Sequence, residues 1–343
     1  MIVLRNVIRQ NIEMTKYLAF LILFLIGLNP VLAQDPGFSQ YFANELYINP
    51  AFSGYSDMAK GSVNYRNQWP GLQSTFITYC ASYSQPVEFL HGGVGLVVMN
   101  DVQGNGAISR SSVDLQYSYK LRMTRNLYIN AGFQTSYFQK RFRGTDLVFP
   151  DMIDPVSGIS FPTQETISDY RRGFMDFSVG FMGSFRGSYF GIAVHHLTKP
   201  NESYSGNNGS VLPRKYTIHL GTDISTRNWG LGRNEFTLMP GILFQNQQQF
   251  QQLSYGLNLS MQSLILGLWM RQDLHFNYDS FIFTVGFKQM NYKFIYSYDL
   301  SITGAKLKIP TSGAHELTFI FEFDKKLLNR RKGAVKCTIK PQK

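Results

Sequence analysis

The residue types that could do chemistry are few, and their spacing serves it poorly. His195 and His196 are adjacent. In an extended chain neighbours point to opposite faces, so two such imidazoles cannot chelate one ion. The pattern predicts one lumen histidine and one interface histidine. Asp151, Asp154, Glu165 and Asp169 gather acidity in one long connection. They could hold a cation, but an ordinary solvated loop explains them more simply. The chain has no Gly-x-Ser-x-Gly elbow, phosphate loop, His-Glu-x-x-His pair or calcium loop. No nucleophile stands in phase with a base on a neighbouring strand pattern. Cys80 and Cys337 are far apart and differ in context, so they form neither a disulfide framework nor a metal site. No catalytic residue, metal or cofactor is expected.

The charges that do share a face belong to strands. In Ala314–Phe323, Leu317, Phe319, Phe321 and Phe323 fall on one side. Glu316, Thr318 and Glu322 fall on the other, with Ile320 as the exception. Val113, Leu115, Tyr117 and Tyr119 likewise oppose Ser112, Asp114, Gln116, Ser118 and Lys120. Tyr292, Phe294, Tyr296 and Tyr298 oppose Lys293, Ser297 and Asp299, and Phe281, Phe283, Val285 and Phe287 oppose Thr284, Gly286 and Lys288. Met261–Met270 is apolar on both faces and says less. By phase, Asp114, Lys120, Lys293, Asp299, Glu316 and Glu322 all face inwards. Their mixed signs favour a filled lumen over a strongly ion-selective pore.

Fourteen such stretches run from Ala59–Trp69 to Ala314–Phe323. They are roughly 9 to 15 residues long, and a tilted strand needs about 9–11 to cross the hydrocarbon. Even-numbered links are mostly tight, as at Arg122–Arg125, Arg186-Gly187, Met261-Gln262 and Met290-Asn291. Link two, Gln85–His91, is looser. The longest links are odd-numbered: Arg141–Arg172, Thr198–Arg214 and Ser301–Gly313. Outer-membrane barrels alternate short periplasmic turns with long external loops in this way. The expected fold is an all-β transmembrane antiparallel barrel of about fourteen strands. A soluble β-sandwich or β-solenoid would rarely need so many long aromatic strands without a repeat.

The 343 residues include 20 Tyr and 28 Phe, and only 16% are charged. A mean hydropathy of −0.15 rules out a helical membrane bundle but suits a barrel. Residues 1–33 read as a secretory signal, with Arg5, Arg9 and Lys16 before the apolar run Tyr17–Leu28 and cleavage expected after Ala33. Met14 is an alternative start. Residues 34–58 hold two Pro, two Gly and irregular aromatics. They read as a short helix or coil over Phe38–Leu46 with a turn at Asn49-Pro50, a plug or rim to the barrel at 59–324. Net charge is +11, but 325–343 carry eight basic residues and no acidic one. The body is close to neutral. Such a tail can remain solvated, or bind anionic lipid, an acidic partner or, least plausibly behind a secretory signal, nucleic acid.

Short pieces recur in an order that resembles one family. Gln34-Asp35-Pro36, Phe38-Ser39-Gln40-Tyr41 and Asn49-Pro50-Ala51 with Gly54 come first. Arg66, Gln68 and Trp69 with Gly71 follow, then His196-Leu197 with Pro200-Asn201, Tyr298-Asp299 and His315-Glu316. The set is similar to PorP/SprF outer-membrane proteins, linked to type IX secretion and gliding motility in Bacteroidetes. The resemblance spans Gln34–Phe323 and omits the basic tail. It implies a non-enzymatic role in export or surface attachment of large cargo proteins bearing a C-terminal sorting domain. It implies partners among that cargo, other type IX secretion components and outer-membrane lipid, with no nucleic acid. Asn49, Pro50, Arg66, Trp69, His196, Pro200, Asn201, Asp299, His315 and Glu316 would then be structural or partner-binding. The competing reading is a fatty-acid-transporter-like or general outer-membrane channel for small solutes, with the N-terminal segment as its hatch.

Overall fold

A strand with one apolar and one polar face must turn each towards a different solvent, and a closed sheet does this for all strands at once. The computed structural model describes residues 35–71, 76–144, 147, 149–154, 158–159, 168–204, 210–225, 236–302 and 313–323. The signal segment 1–33 and the basic tail 325–343 lie outside these described residues. Fourteen strands form the wall: β1 (Ala59–Gln68), β2 (Phe76–Val87), β3 (Gly92–Gln103), β4 (Ile108–Arg122), β5 (Leu127–Phe142), β6 (Tyr170–Phe185), β7 (Ser188–His195), β8 (Lys215–Thr222, resumed at Ile224–Ser225), β9 (Phe236–Gln247), β10 (Phe250–Met261), β11 (Leu264–Gln272), β12 (Tyr278–Gln289), β13 (Tyr292–Ser301) and β14 (Ala314–Phe323). Each pairs antiparallel with the next, and β14 returns to β1 from Ala59↔Phe323 to Gln68↔Ala314. The barrel is closed, with each strand paired on both sides.

The expected alternation is present. Leu115 is 57% exposed and Phe319 45%, while Asp114 is 5% exposed and Glu316 is fully buried. Four inward exceptions share one cause. Ile320 and Ile295 pack against Ala43 and Phe42, and Ile282 and Trp269 against Tyr41 and Ile48. All these partners belong to the segment before β1. The two-sided apolarity of β11 has the same origin in part, because inward Trp269 packs on Tyr41 and Phe42 of that segment rather than facing water.

One end of the barrel has tight turns. At Arg186-Gly187 both residues have positive φ, 50° and 87°, the type I′ geometry that matches strand twist. β2 continues through Pro86, opposite Gly93, to Val87, so link two contracts to Glu88–His91. The long connections after β5, β7 and β13 lie at the other end.

Residues 36–58 occupy the lumen. A 3₁₀ turn at Tyr41–Ala43, a one-turn helix at Glu45–Ile48 and a second 3₁₀ turn at Pro50–Phe52 follow one another. Asn44 and Asn49-Pro50 break what would otherwise be one helix. Phe38, Tyr41, Leu46, Ile48, Ala51 and Phe52 are each no more than 6% exposed.

A cation on the outer face should be costly at mid-strand. Leu115→Lys should destabilise the barrel by about 2–4 kcal/mol, the cost of Lys near a bilayer midplane. Urea unfolding in vesicles measures it, and a change under about 0.5 kcal/mol would contradict the lipid-facing assignment.

Candidate functional site

The lumen contains a connected polar network centred on the seam between β14 and β1. Cross-strand register places Arg66 opposite Glu316 and Asn64 opposite Thr318. Arg66 Nη1 lies 3.1 Å from Glu316 Oε2, and Arg66 Nη2 lies 3.3 Å from Asp299 Oδ2 on β13. Arg271 on β11 reaches Asp299 at 2.9 Å and Asp279 at 2.6 Å. Cations and carboxylates therefore alternate around one side of the lumen. Buried charges persist only when paired and hydrogen-bonded in this way.

The N-terminal segment completes that network. The Ser39 and Gln40 amides donate to the two Glu316 oxygens, at 2.7 and 3.2 Å. Ser39 Oγ donates to Asp299 Oδ2 at 2.9 Å and accepts from Arg66 Nη1. Gln40 Nε2 donates to Ser297 Oγ and to the Glu316 carbonyl. Asn64 Nδ2 donates to Glu316 Oε1 at 2.9 Å.

A second anchor holds Asn49-Pro50-Ala51 to the opposite wall. Asn49 Oδ1 accepts from the Ala51 amide at 2.9 Å, which caps the turn locally. Its Nδ2 lies 2.9 Å from His219 Nε2 and 3.2 Å from the Phe181 and Ile192 carbonyls. Gln116 Nε2 donates to the Leu46 carbonyl, and Ser118 and Asn130 both donate to the Ala51 carbonyl. The wall is glycine where this backbone touches it. A Cβ on Gly180 would fall 1.9 Å from Asn49 Oδ1, and one on Gly132 would fall 2.3 Å from the Ala51 nitrogen. Such contacts exclude any side chain at these two positions. At the tight-turn end Gly54 donates to Ser84 Oγ at 2.7 Å, and a Cβ on Gly93 would strike Gly54.

The long-loop mouth is partly covered by the connection after β7. An isolated bridge joins Asn201 to Val211, and the Pro200 carbonyl accepts from the Leu212 amide at 2.9 Å. Asn201 Oδ1 accepts from the Ser203 amide. This turn carries Glu202 inwards, 3.1 Å from Lys140 and 3.9 Å from Arg110. Burial first, and the Glu202 charge second, push the Tyr204 phenol up to about 12.

The histidine pair departs from expectation. Both rings are 4% exposed, so neither is an interface residue. β7 ends at His195, and His196 adopts a φ of 59°, which breaks the two-face alternation. His195 Nε2 lies 3.1 Å from the Ile48 carbonyl, and His196 Nδ1 lies 2.6 Å from Asp176 Oδ2. Thr198 Oγ1 donates to the other Asp176 oxygen.

The structure thus divides the sequence-selected residues. Arg66, Asp299 and Glu316 meet at the seam, with Asn49 and Pro50 at the glycine wall. His196, Pro200 and Asn201 shape the mouth. His315 and Trp69 belong to neither group. His315 faces outwards, with Nδ1 2.8 Å from the Tyr296 hydroxyl. Trp69 leaves β1 with a φ of 54°, donates its amide to the Gly313 carbonyl and packs edge-on against Phe76. Sequence reasoning missed Arg271, Asn64, His219 and Glu202, and placed Gln116 only on the polar face of its strand. Strand phase could have found the first three, but only the fold of its loop brings Glu202 inside.

A closed sheet with a greasy exterior and a charged interior defines this protein as an outer-membrane-type β-barrel. The chain belongs to the PorP/SprF family of type IX secretion system membrane proteins, whose family model matches residues 31–321. It is therefore an outer-membrane component of a secretion system. Among solved structures, a Pseudomonas aeruginosa FadL homologue aligns at 12% identity over 82% of this chain and 94% of its own, with a TM-score of 0.40. The P. putida toluene transporter TodX aligns at 8% identity over 80% of this chain and 92% of its own, with a TM-score of 0.43. The KdgM porin aligns at 7% identity over 77% and 99%, with a TM-score of 0.33. Comparison with curated proteins gives no match.

Two substitutions probe the anchors. Arg66→Met leaves Glu316 buried without its cross-strand partner and should cost about 3–5 kcal/mol in urea unfolding. Gly180→Val should expel the Asn49 turn. The expected readout is new protease sensitivity around residue 49 with the wall still folded, and unchanged protection would refute the glycine-wall fit.

Proposed function

We propose that this barrel supports export or surface anchoring of a secreted cargo protein with a C-terminal sorting domain, and that it engages that cargo through its long-loop end. The observation that carries this reading is the occupied lumen. Segment 36–58 hydrogen-bonds to inward side chains on both sides of the wall, from Glu316 to Gln116. The small cavity beside it, lined by Glu45, Leu46, Phe52 and Lys60, holds only about 20 Å³, room for about one water. A barrel filled by its own chain is better suited to holding a partner at its rim than to passing solutes. The connections after β5, β7 and β13 are the longest surfaces it offers. Membership of a secretion-system family supports a protein cargo over a small solute, and the tight-turn end is left for other secretion components. Asn49, Pro50, Arg66, Asp299 and Glu316 act here as structural residues that keep the lumen occupied, while His196, Pro200 and Asn201 shape the cargo-facing mouth.

The test is replacement of residues 146–167 by a short Gly/Ser linker in cells that display the cargo. The expected outcome is a heat-modifiable, folded barrel with cargo lost from the surface. Normal display would remove this loop from the reading. Unitary conductance from the purified wild-type barrel in planar bilayers would instead favour the solute channel.

A further inference from the structure

At the long-loop mouth three cations stand in one row across adjacent strands. Register sets Arg110 on β4 directly opposite Lys140 on β5, and Lys140 directly opposite Arg172 on β6. Each is in phase with a buried inward residue of its own strand, namely Ser112, Phe138 and Asp176. Like charges directly opposite one another in an antiparallel ladder destabilise it. Such a row calls for an anion against it.

Glu202 supplies that anion, and it fits poorly. It comes from the connection after β7 and not from a strand. Its Oε2 lies 3.1 Å from Lys140 Nζ, but its Oε1 lies 3.9 Å from Arg110 Nη1, too far for a hydrogen bond. That second oxygen is buried and has no hydrogen-bond partner among the described residues. Arg172 makes no ion pair among the described residues. The contact is also detachable. Leu212, only 2% exposed, pins the base of the turn, where its amide meets the Pro200 carbonyl. Glu202 lies beyond the Asn201–Val211 bridge, towards the tip, with the Tyr204 ring tilted against Phe142 and Tyr170 at 5.9 and 6.0 Å.

We propose that the Arg110–Lys140–Arg172 row is a carboxylate-binding site for an acidic segment of the protein partner, and that Glu202 holds it as an internal competitor until that segment arrives. This rests on the cargo reading above and adds the chemistry of the contact. A guanidinium on each side of an ammonium suits several carboxylates better than one. The row is on the lumen side of the wall. An acidic peptide reaching over the rim can therefore meet it, whereas a headgroup in the bilayer meets the opposite face.

The test uses the full mature chain in non-ionic detergent, titrated against a rhodamine-labelled Glu-Gly repeat peptide and its Gln-Gly counterpart and read by fluorescence anisotropy. Wild type should bind the acidic peptide weakly. Glu202→Gln should tighten that binding about tenfold, because a tethered competitor is removed. Adding Arg172→Gln should cancel the gain, and salt at about 500 mM should shrink it. Arg172→Gln alone breaks no ion pair of the resting mouth, so it should keep the folded gel mobility and weaken wild-type binding about threefold. That variant reads the site even where Glu202→Gln loosens the fold. No gain from Glu202→Gln in a folded barrel, indifference to Arg172→Gln, or equal binding of the Gln-Gly peptide would overturn the inference. So would the same dependence on Arg172 shown by lipopolysaccharide and not by the peptide, which would give the row to a lipid headgroup. Peptide binding as expected, with cargo displayed normally by cells carrying Arg172→Gln, would uphold the site and count against the cargo reading instead.

Discussion

The pairing of β1 with β14 is the contact on which everything else depends. In a membrane, unpaired strand edges are ruinous, because no water satisfies their amides and carbonyls. Closure therefore has to happen, and it has to happen in one register. Arg66 sits directly opposite Glu316, and Asn64 directly opposite Thr318. A slip of one residue would turn either the guanidinium towards lipid or Leu317 towards the lumen. The ion pair and the ladder thus specify the same alignment. Asp299 and Arg271 extend the charge pattern across β13 to β11, so the seam is tied to a strand that pairs with neither β1 nor β14.

A closed wall leaves an interior that must also be satisfied. Two solutions are used side by side. Where the internal segment presents aromatic rings, the wall answers with Trp269, Ile282, Ile295 and Ile320. Where it presents the Asn49-Pro50-Ala51 turn, the wall withdraws to Gly180 under the Asn49 side chain and Gly132 under the backbone, and supplies Gln116, Ser118 and Asn130 as donors to carbonyls. The interior resembles a packed protein core in its density of contacts, although much of its lining is polar. The PorP/SprF assignment and this filling together describe a secretion-system barrel whose lumen is occupied by its own chain.

Much of the wall was legible in the sequence because a period of two is a strong signal when one face meets lipid. All fourteen strands lie where alternation and link parity predicted them, with ends shifted by a few residues. The phase of Asp114, Asp299 and Glu316 placed them inside. β11 was opaque, since its inward face packs on rings instead of water and alternation vanishes. His196 was misplaced for a local reason. The face rule holds only while the backbone stays extended, and a left-handed residue at the strand end escapes it. Glu202 and the two glycine contacts were out of reach, because they depend on how a loop and an internal segment lie in three dimensions.

The course of segment 36–58 has a consequence for how the barrel holds its filling. Ser39 and Gln40 touch the first and last strands in the half nearer the long loops, whereas Gly54 rests among β2 and β3 beside the tight turns. The segment therefore spans the cylinder lengthwise before the first strand begins. It is fastened near both mouths and along the glycine contacts between them, so wall and filling make one packed body, a dowel glued in its socket rather than a stopper resting in a bottle.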